Sequence, residues 1–508
     1  MKLIGKLRTR MALVILAILI QLGWLIFLIY RLGNYYMPIT VSLTVISIIV
    51  VVIILNQQAD PAVKLAWIVP ILIFPLFGGI TYLFLGHEYR TRAMRRAMRK
   101  GQKLTEVRVP GDKSCIRGLA RENPVAGGQL RYLENQGFPV YKDTTAEYFS
   151  TGEAGFSAML EALKRAEHFI FIEYFIIGKG EMWSQILDIL LEKVAQGVDV
   201  RVLYDDFGSI SEVPLHYDKK LQKMGIKCLA FNPFIPYAST IMNNRDHRKI
   251  LVIDGHTAFT GGINLADEYI NKKTRFGYWK DCAVRIRGEA VWTMTLLFLR
   301  MWNIFRPMDQ DMQVFRPGYL RPQVFEGDGY VQPYGDSPLN KEPVAENVYL
   351  NLISNAKEYI YIFTPYLIPD ESLIKAMCLA AQRGVDVRII TPGIPDKKII
   401  FQMTQSYFPR LMERGVKIYS YTPGFLHSKC VVCDDEFAVV GSVNMDYRSF
   451  YHHFENGCLF YKNSVIHPVK ADFEETLLQC SPVKTKEWRS NGVRDVYYAI
   501  LRLFAPLM

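Results

Sequence analysis

Histidine and lysine recur in this chain at one fixed spacing. His247-Arg-Lys249 is followed by Asp254 and then by Gly261-Gly262-Ile263-Asn264, and His427-Ser-Lys429 by Asp434 and then by Gly441-Ser442-Val443-Asn444. Both copies read H-x-K-x4-D-x6-G-[GS]-x-N, 180 residues apart. One H-x-K-x4-D arises easily by chance; two copies that agree as far as the Gly and Asn do not. Each opens a strand-like run, Lys-Ile-Leu-Val-Ile in the first and Lys-Cys-Val-Val-Cys in the second. Positions i and i+2 of a strand share a face, so in each copy an imidazole and an ammonium point into one space. That places a nucleophile or proton carrier beside a positive charge. Asp254 and Asp434 stand at odd spacing from their histidines and should face away, closing the strand into its turn through side-chain-to-backbone hydrogen bonds.

On these motifs the sequence resembles the phospholipase D superfamily, in which two such motifs build one active site, and within it the bacterial cardiolipin synthases. The resemblance runs over nearly the whole chain and includes the context Gly424-Phe425-Leu426-His427-Ser428-Lys429. It implies a catalytic set of His247, Lys249, Asp254, His427, Lys429 and Asp434, with Asn264 and Asn444 binding substrate phosphate. It also implies that an acidic residue later in each half hydrogen-bonds a motif histidine. Asp281 and Glu455, each opening a strand-like stretch at comparable distance after its motif, are the residues in that place. His247 would be the nucleophile and His427 the general acid, although the residues alone do not separate the two.

Chemically, a phosphodiester needs entering and leaving groups in line. Two histidines on opposite sides of one phosphorus supply them: one attacks to give a phosphohistidine, the other protonates the departing oxygen. An ordinary imidazole pKa of ~6.5 allows both protonation states near neutral pH. Lysines and Asn amides would stabilise the non-bridging oxygens. No cofactor and no catalytic metal is expected. The implied reaction is phosphatidyl transfer between two phosphatidylglycerol molecules, giving cardiolipin and glycerol. A phospholipase D-type hydrolase or another phosphatidyltransferase is the alternative, and a nuclease or a non-enzymatic scaffold fits less well. Expected partners are phosphatidylglycerol and anionic membrane lipid, with no nucleic acid. Arg245, Tyr366, Arg448 and Ser449 are further candidates for phosphate or headgroup contact. His452 and His453 are expected as loop or surface residues, and Cys430-x-x-Cys433 as buried strand packing.

The elements that must carry these residues repeat as well. Gly384-Val-Asp-Val-Arg-Ile-Ile390 matches Gly197-Val-Asp-Val-Arg-Val-Leu203, and Glu413-Arg-Gly415-Val-Lys-Ile-Tyr matches Lys223-Met-Gly225-Ile-Lys-Cys-Leu. Helix and strand patterns alternate around both, as β-α-β units do, which predicts mostly parallel sheets covered by helices. The expected fold is α/β: two duplicated phospholipase D-like α/β/α sandwich domains at 151–310 and 338–508, joined by a Pro- and Gly-rich connector at 311–337. They follow a membrane anchor at 1–90 and a juxtamembrane linker at 91–150.

The anchor is read from three apolar runs, Met11–Tyr30, Met37–Leu55 and Ala66–Leu85, each long enough to be a candidate transmembrane helix. Basic residues flank both ends of this region, Lys2 to Arg10 before and Arg90 to Lys100 after. An odd number of spans cannot put both clusters on the cytoplasmic side. Two or three spans, a multi-pass position in the bacterial cell membrane and a cytoplasmic catalytic body are the expectation. The net charge of +11 suits anionic lipid, and eight scattered cysteines suit a reducing compartment. The apolar tail Val496–Met508 is expected to cap the core, with membrane docking as the other possibility.

Overall fold

The computed structural model describes residues 23–24, 27, 37–57, 61–74, 78, 82, 113–233, 244–306, 311–316, 325–340, 342–484 and 492–507. Two compact units divide the chain: residues 1–95, 233–244 and 499–508 form one, and 96–232 with 245–498 form the other. The basic stretch Arg90–Lys103 lies outside the described residues.

In the first unit, helix Met37–Leu55 carries no charge, and helix Pro61–Ile73 holds Pro70 inside it. Val50, Ile54, Ile71 and Tyr82 form a small core with Trp67 and Ile68. Val45, Ile46, Ile48, Ile49, Val52 and Ile53 of the first helix stay exposed. Among the described residues no helix is long and apolar enough to cross a membrane. The predicted transmembrane helices are therefore not established. Met11–Tyr30 lies almost entirely outside the described residues, and of Ala66–Leu85 the described residues are 66–74, most of them in helix Pro61–Ile73, with Gly78 and Tyr82.

The second unit contains both repeats. The first repeat supplies β1 (Thr144–Phe149), β2 (Phe169–Tyr174), β3 (Asp199–Asp205), β4 (Lys227–Phe231), β5 (Arg245–Asp246), β6 (Lys249–Ile253), β7 (Thr257–Gly261), β8 (Tyr278–Lys280) and β9 (Ala283–Gly288). The second supplies β10 (Tyr330–Asp336), β11 (Tyr359–Phe363), β12 (Leu367–Ile368), β13 (Asp386–Pro392), β14 (Lys417–Tyr421), β15 (Gly424–Leu426), β16 (Cys430–Cys433), β17 (Phe437–Gly441), β18 (Met445–Asp446), β19 (His453–Tyr461) and β20 (Cys480–Pro482). The sheet orders match strand for strand: β1-β9-β7-β6-β2-β3-β4 in the first and β10-β19-β17-β16-β11-β13-β14 in the second, where β20 adds an edge.

These sheets are mixed rather than mostly parallel. Within these strand orders the β-α-β portions, β2-β3-β4 and β11-β13-β14, run parallel. From the motif strand onward the pairs β2-β6, β6-β7, β7-β9 and β9-β1 are antiparallel, and the second repeat follows suit. The turn from β6 to β7 holds only Asp254, Gly255 and His256, too short for the crossover that a parallel pair requires.

Helix Val291–Phe305 is apolar nearly all round and almost wholly buried, as expected of a helix enclosed on every side. It packs against β2 and β6 of the first sheet and β10 of the second. The segment 91–150, expected as a linker, contributes structure of its own. Helix Pro124–Asn135, capped by the Asn123 side chain, lies on the second repeat through Gln129 Nε2 to Val348 O (3.4 Å) and Asn347 Nδ2 to Tyr132 OH (2.8 Å). The end of the expected connector is the strand β10, the counterpart of β1. Nor does the tail chiefly cap a core. Helix Gly492–Phe504 leaves Val493, Val496 and Ile500 exposed, with Leu501 its one buried residue.

The motif aspartates act at the far end of their strands. Asp254 and Asp434 both adopt a left-handed φ, 51° and 53°. The Asp254 carboxylate accepts the backbone N–H groups of Glu167, His168 and Phe169 at 2.7–2.8 Å. Asp434 accepts those of Lys357, Glu358 and Tyr359 at 2.8–2.9 Å. Each ties the motif strand to the start of the central strand beside it. Replacing Asp254 with alanine strips three donors of their acceptor and places a Cβ-bearing residue without a local hydrogen bond in the left-handed region. A loss of about 1–3 kcal/mol is expected, read as a lower thermal midpoint for Asp254→Ala, for Asp434→Ala, and lower still for the double variant.

Candidate active site

Two short parallel pairings build the centre of the second unit. β5 pairs with the start of β19, Arg245 beside His453 and Asp246 beside Phe454. β15 pairs in the same sense with β8, Phe425 beside Trp279 and Leu426 beside Lys280. In each case the residue entering a motif histidine in one repeat is bonded to the strand that leads to an acidic residue in the other. The pattern continues through the histidines themselves: His247 N donates to Phe454 O at 2.9 Å and His427 N to Lys280 O at 2.7 Å.

The carboxylates are thereby exchanged between repeats. His247 Nδ1 lies 2.9 and 3.0 Å from the two oxygens of Glu455, and His427 Nδ1 lies 2.7 Å from Asp281 Oδ2. A carboxylate at Nδ1 fixes the tautomer so that Nε2 is the atom offered to a reactant. Supporting donors differ on the two sides. Ser442 Oγ donates to Glu455, whereas Asp281 takes Cys282 N at 2.9 Å and Trp279 Nε1 at 3.5 Å. Gly262 occupies the place of Ser442, and a Cβ there would come within 2.0 Å of Asp281 Oδ1. The Gly/Ser difference between the motifs is thus a matter of room beside the carboxylate.

Lys249 and Lys429 are buried, and each donates to the carbonyl of its own motif histidine. Phe175 lies under the Lys249 ammonium at 5.5 Å and edge-on to His247 at 5.0 Å. The four cationic candidates sense one another. Burial first, then Lys249, His453, Lys429 and His427, hold the His247 pKa well below its ordinary value. Burial and then Lys429 bring His427 down to about 4. Lys249 falls to about 7 and Lys429 to about 8, in both cases through burial against the pull of nearby carboxylates. Burial also raises Glu455 well above the carboxylate range. The protein groups of the cleft thus disfavour positive charge on one another, and a bound anion would relieve that penalty.

The remaining candidates are placed as follows. Asp254 and Asp434, named in the motif, lie outside this cleft. Asn264 has its Oδ1 on Ile176 N (3.1 Å) and its Nδ2 on Tyr269 OH (2.8 Å), so its amide is engaged in holding the loop. Asn444 Nδ2 reaches Asp446 at 3.3 Å, while its buried Oδ1 has no hydrogen-bond partner among the described residues. Arg245 is buried, with Nη1 on Asn232 O at 2.8 Å and 3.6 Å from Asp205. Tyr366 OH donates to Asp396 at 2.6 Å, and Ser449 Oγ accepts from Asn444 N at 3.2 Å.

Two features escaped the sequence reading. His453 is a buried member of the cleft, its ring centroid 5.3 Å from that of His247. Its spacing of two before Glu455 on one strand was the available signal. Cys430 meets Cys282 across the repeats, Sγ to Sγ 3.1 Å, and no sequence signal marks that pair. Among the described residues, ligand atoms of His247, His453 and Glu455 lie within 4.8 Å of one another, a donor set that could hold a metal ion. The adjoining Lys249 and Lys429 ammoniums oppose a cation there.

Comparison with known proteins agrees with this architecture. The family described as "Cardiolipin synthase, PLD-like domain" matches residues 159–279 and 349–477, one match in each repeat. That described as "Phospholipase_D-nuclease N-terminal" matches residues 45–87. A protein of Streptococcus mutans described as uncharacterized is 44% identical over 90% of this chain and 99% of its own. The cardiolipin synthase of Geobacillus sp. is 37% identical over 93% of this chain and 94% of its own, and that of Halalkalibacterium halodurans 33% over 96% and 95%. The crystal structure of the phosphatidylserine synthase of Haemophilus influenzae covers 74% of this chain and 97% of its own with a TM-score of 0.55. At 17% identity that likeness speaks for the fold. On the strength of the sequence relatives and the duplicated match, the chain belongs to the cardiolipin synthase family of phospholipase D-like proteins.

Proposed function

We propose that this protein is a phosphatidyltransferase that condenses two phosphatidylglycerol molecules into cardiolipin and glycerol through a phosphohistidine. The observation that carries the reading is the pair of crossed His–carboxylate contacts beside two buried lysines, in a chain of this family. His247 Nε2, with Nδ1 held by Glu455, attacks the phosphorus of the first lipid. The P–O bond to the glycerol headgroup breaks, and His427, protonated once the anion is bound, gives its proton to the leaving oxygen. A second phosphatidylglycerol then offers a headgroup hydroxyl. His427 takes that proton, the new P–O bond forms, and the P–N bond to His247 breaks.

Lys249 and Lys429 stabilise charge on the non-bridging oxygens, with remaining donors from Asn264 and Asn444. The lowered pKa of His247, from burial and its cationic neighbours, keeps the nucleophile neutral. The substrate's own negative charge supplies the field that lets the acid hold its proton. Each phosphodiester thereby assembles the protonation state that its own transfer requires. The lipid is presented at a bilayer, and the N-terminal apolar segments are the anchor we assign to a multi-pass membrane position with a cytoplasmic catalytic body. The exposed apolar side chains of Met37–Leu55 support contact with lipid.

Trapping with radiolabelled phosphatidylglycerol tests the assignment of roles. Label should map to the peptide containing His247, accumulate in His427→Ala protein and be absent from His247→Ala protein; label retained after His247→Ala would reverse the assignment. Glu455→Gln and Asp281→Asn should each lower turnover on the order of 100-fold or more, whereas Asp254→Asn per folded molecule should change it by only a few-fold. Equal losses would place the motif aspartates in the chemistry after all. The electrostatic argument has its own check. Because binding an anion raises the pKa values of groups that are depressed without it, the solubilised protein should take up on the order of one proton per inorganic phosphate bound near pH 7.5. Affinity should fall as pH rises. Calorimetry in buffers of different ionisation enthalpy measures the uptake, and a value of zero would remove the argument.

A further inference from the structure

The two halves of the cleft correspond closely, and beyond the Gly262/Ser442 and Asp281/Glu455 differences they differ in kind at one further position. Trp279 stands two residues before Asp281, and His453 two residues before Glu455, so each shares a strand face with the carboxylate that holds the opposite motif histidine. Their rings occupy matching places, Trp279 at 5.2 Å from His427 and His453 at 5.3 Å from His247. The tryptophan's polar atom is committed, since Nε1 donates to Asp281, and its ring packs on Tyr269 and Phe425 at 4.8 Å each.

The histidine is not committed in this way. It is 6% exposed, yet among the described residues neither Nδ1 nor Nε2 has a hydrogen-bond partner. Glu455 Oε1 lies 3.7 Å from Nδ1, beyond hydrogen-bond reach. Glu455 is already served by His247 and by Ser442, so it does not need the second ring. A buried imidazole with two idle nitrogens is costly unless something else in the working enzyme meets it.

We propose that His453 binds the substrate phosphate on the nucleophile's side, donating a ring N–H to a non-bridging oxygen as the phosphatidyl group is transferred to His247. This inference rests on the phosphatidyl-transfer reading above and deepens it. Burial, with Arg448, His452, Lys249 and Arg245 around it, holds the ring in its neutral form. A neutral imidazole offers one donor without adding to the positive charge already crowded there. The same ring in a metal-binding role would have to draw a cation in beside Lys249 and Lys429, which the charge of the cleft opposes.

The difference between Trp279 and His453 also makes the two sides unequal. The His247 side carries an extra donor for an oxygen of the covalently held group. On the His427 side an indole closes over the carboxylate and leaves that histidine to move protons. A site built from two nearly identical halves thereby gains a direction.

The test compares His453→Phe, which keeps ring volume and removes the donor, with His453→Gln, which keeps a donor. Rapid-quench measurement of phosphoenzyme formation uses full-length enzyme and radiolabelled phosphatidylglycerol in mixed micelles. His453→Phe should slow phosphoenzyme formation by about 100-fold, and His453→Gln should recover to within about tenfold of the parent. Inhibition by inorganic phosphate should weaken in the first variant and return in the second. If His453→Phe does not fold, His453→Leu takes its place in the comparison. A rate within about threefold of the parent in the apolar variant overturns the inference. So does equal impairment of the apolar and Gln variants, which would mark a packing role. A parent protein that forms no phosphoenzyme overturns the underlying reading as well. A parent labelled at His247, together with an unimpaired His453→Phe, overturns this inference alone.

Discussion

Everything in the cleft depends on two short parallel strand pairings, β5 on β19 and β15 on β8. Each is only two or three residues long, yet together they decide which imidazole meets which carboxylate. A backbone register is a stiff constraint: slipping either pairing by one residue would turn every side chain on it to the opposite face. The histidine contacts extend the same register by one more hydrogen bond on each side. The larger sheets, the enclosed helix Val291–Phe305 and the aspartate clamps at the far strand ends hold these two seams in place.

The electrostatics follow from that geometry. Three imidazoles and two ammoniums are brought into one buried volume with two carboxylates to offset them. Burial dominates in the absence of ligand and drives the basic groups toward their neutral forms. Such a cleft costs the folded protein stability and is most comfortable when it holds an anion, a common compromise at sites where chemistry is done. The aromatic walls, Phe175 on one side and Trp279 with Tyr269 on the other, exclude water and so strengthen each charge interaction inside.

Much of this was legible in the sequence, for reasons tied to particular residues. The doubled motif and the repeated Gly-Val-Asp-Val-Arg stretch mark the duplication because strand periodicity and helix stops are local properties. Parity along the strand set Asp254 apart from His247 and Lys249, since alternation of faces needs no tertiary information. Position, together with the family resemblance, pointed to Asp281 and Glu455. What stayed hidden was the exchange of those carboxylates between repeats, because it depends on which strands pair across 208 residues on one side and 146 on the other. The same limit hid the Cys282–Cys430 contact and the role of Pro124–Asn135 as cover for the second repeat. His453 was misjudged as a surface residue because its neighbour His247 arrives from the other half. The antiparallel half of each sheet was missed because β-α-β alternation in the earlier strands was extended past the point where short turns take over.

The exchange of carboxylates has a consequence for how such a protein can exist at all. A lone repeat would carry an imidazole lacking its acid and an acid lacking its imidazole, so half of the chain is not half of a catalyst. Only association of two copies, side by side, would complete either pair. Joining the copies in one polypeptide replaces that concentration-dependent encounter with a high effective concentration. It also releases the halves from identity. A homodimer must place the same side chain at both symmetry-related positions, whereas a fused chain is free to put an indole in one and an imidazole in the other.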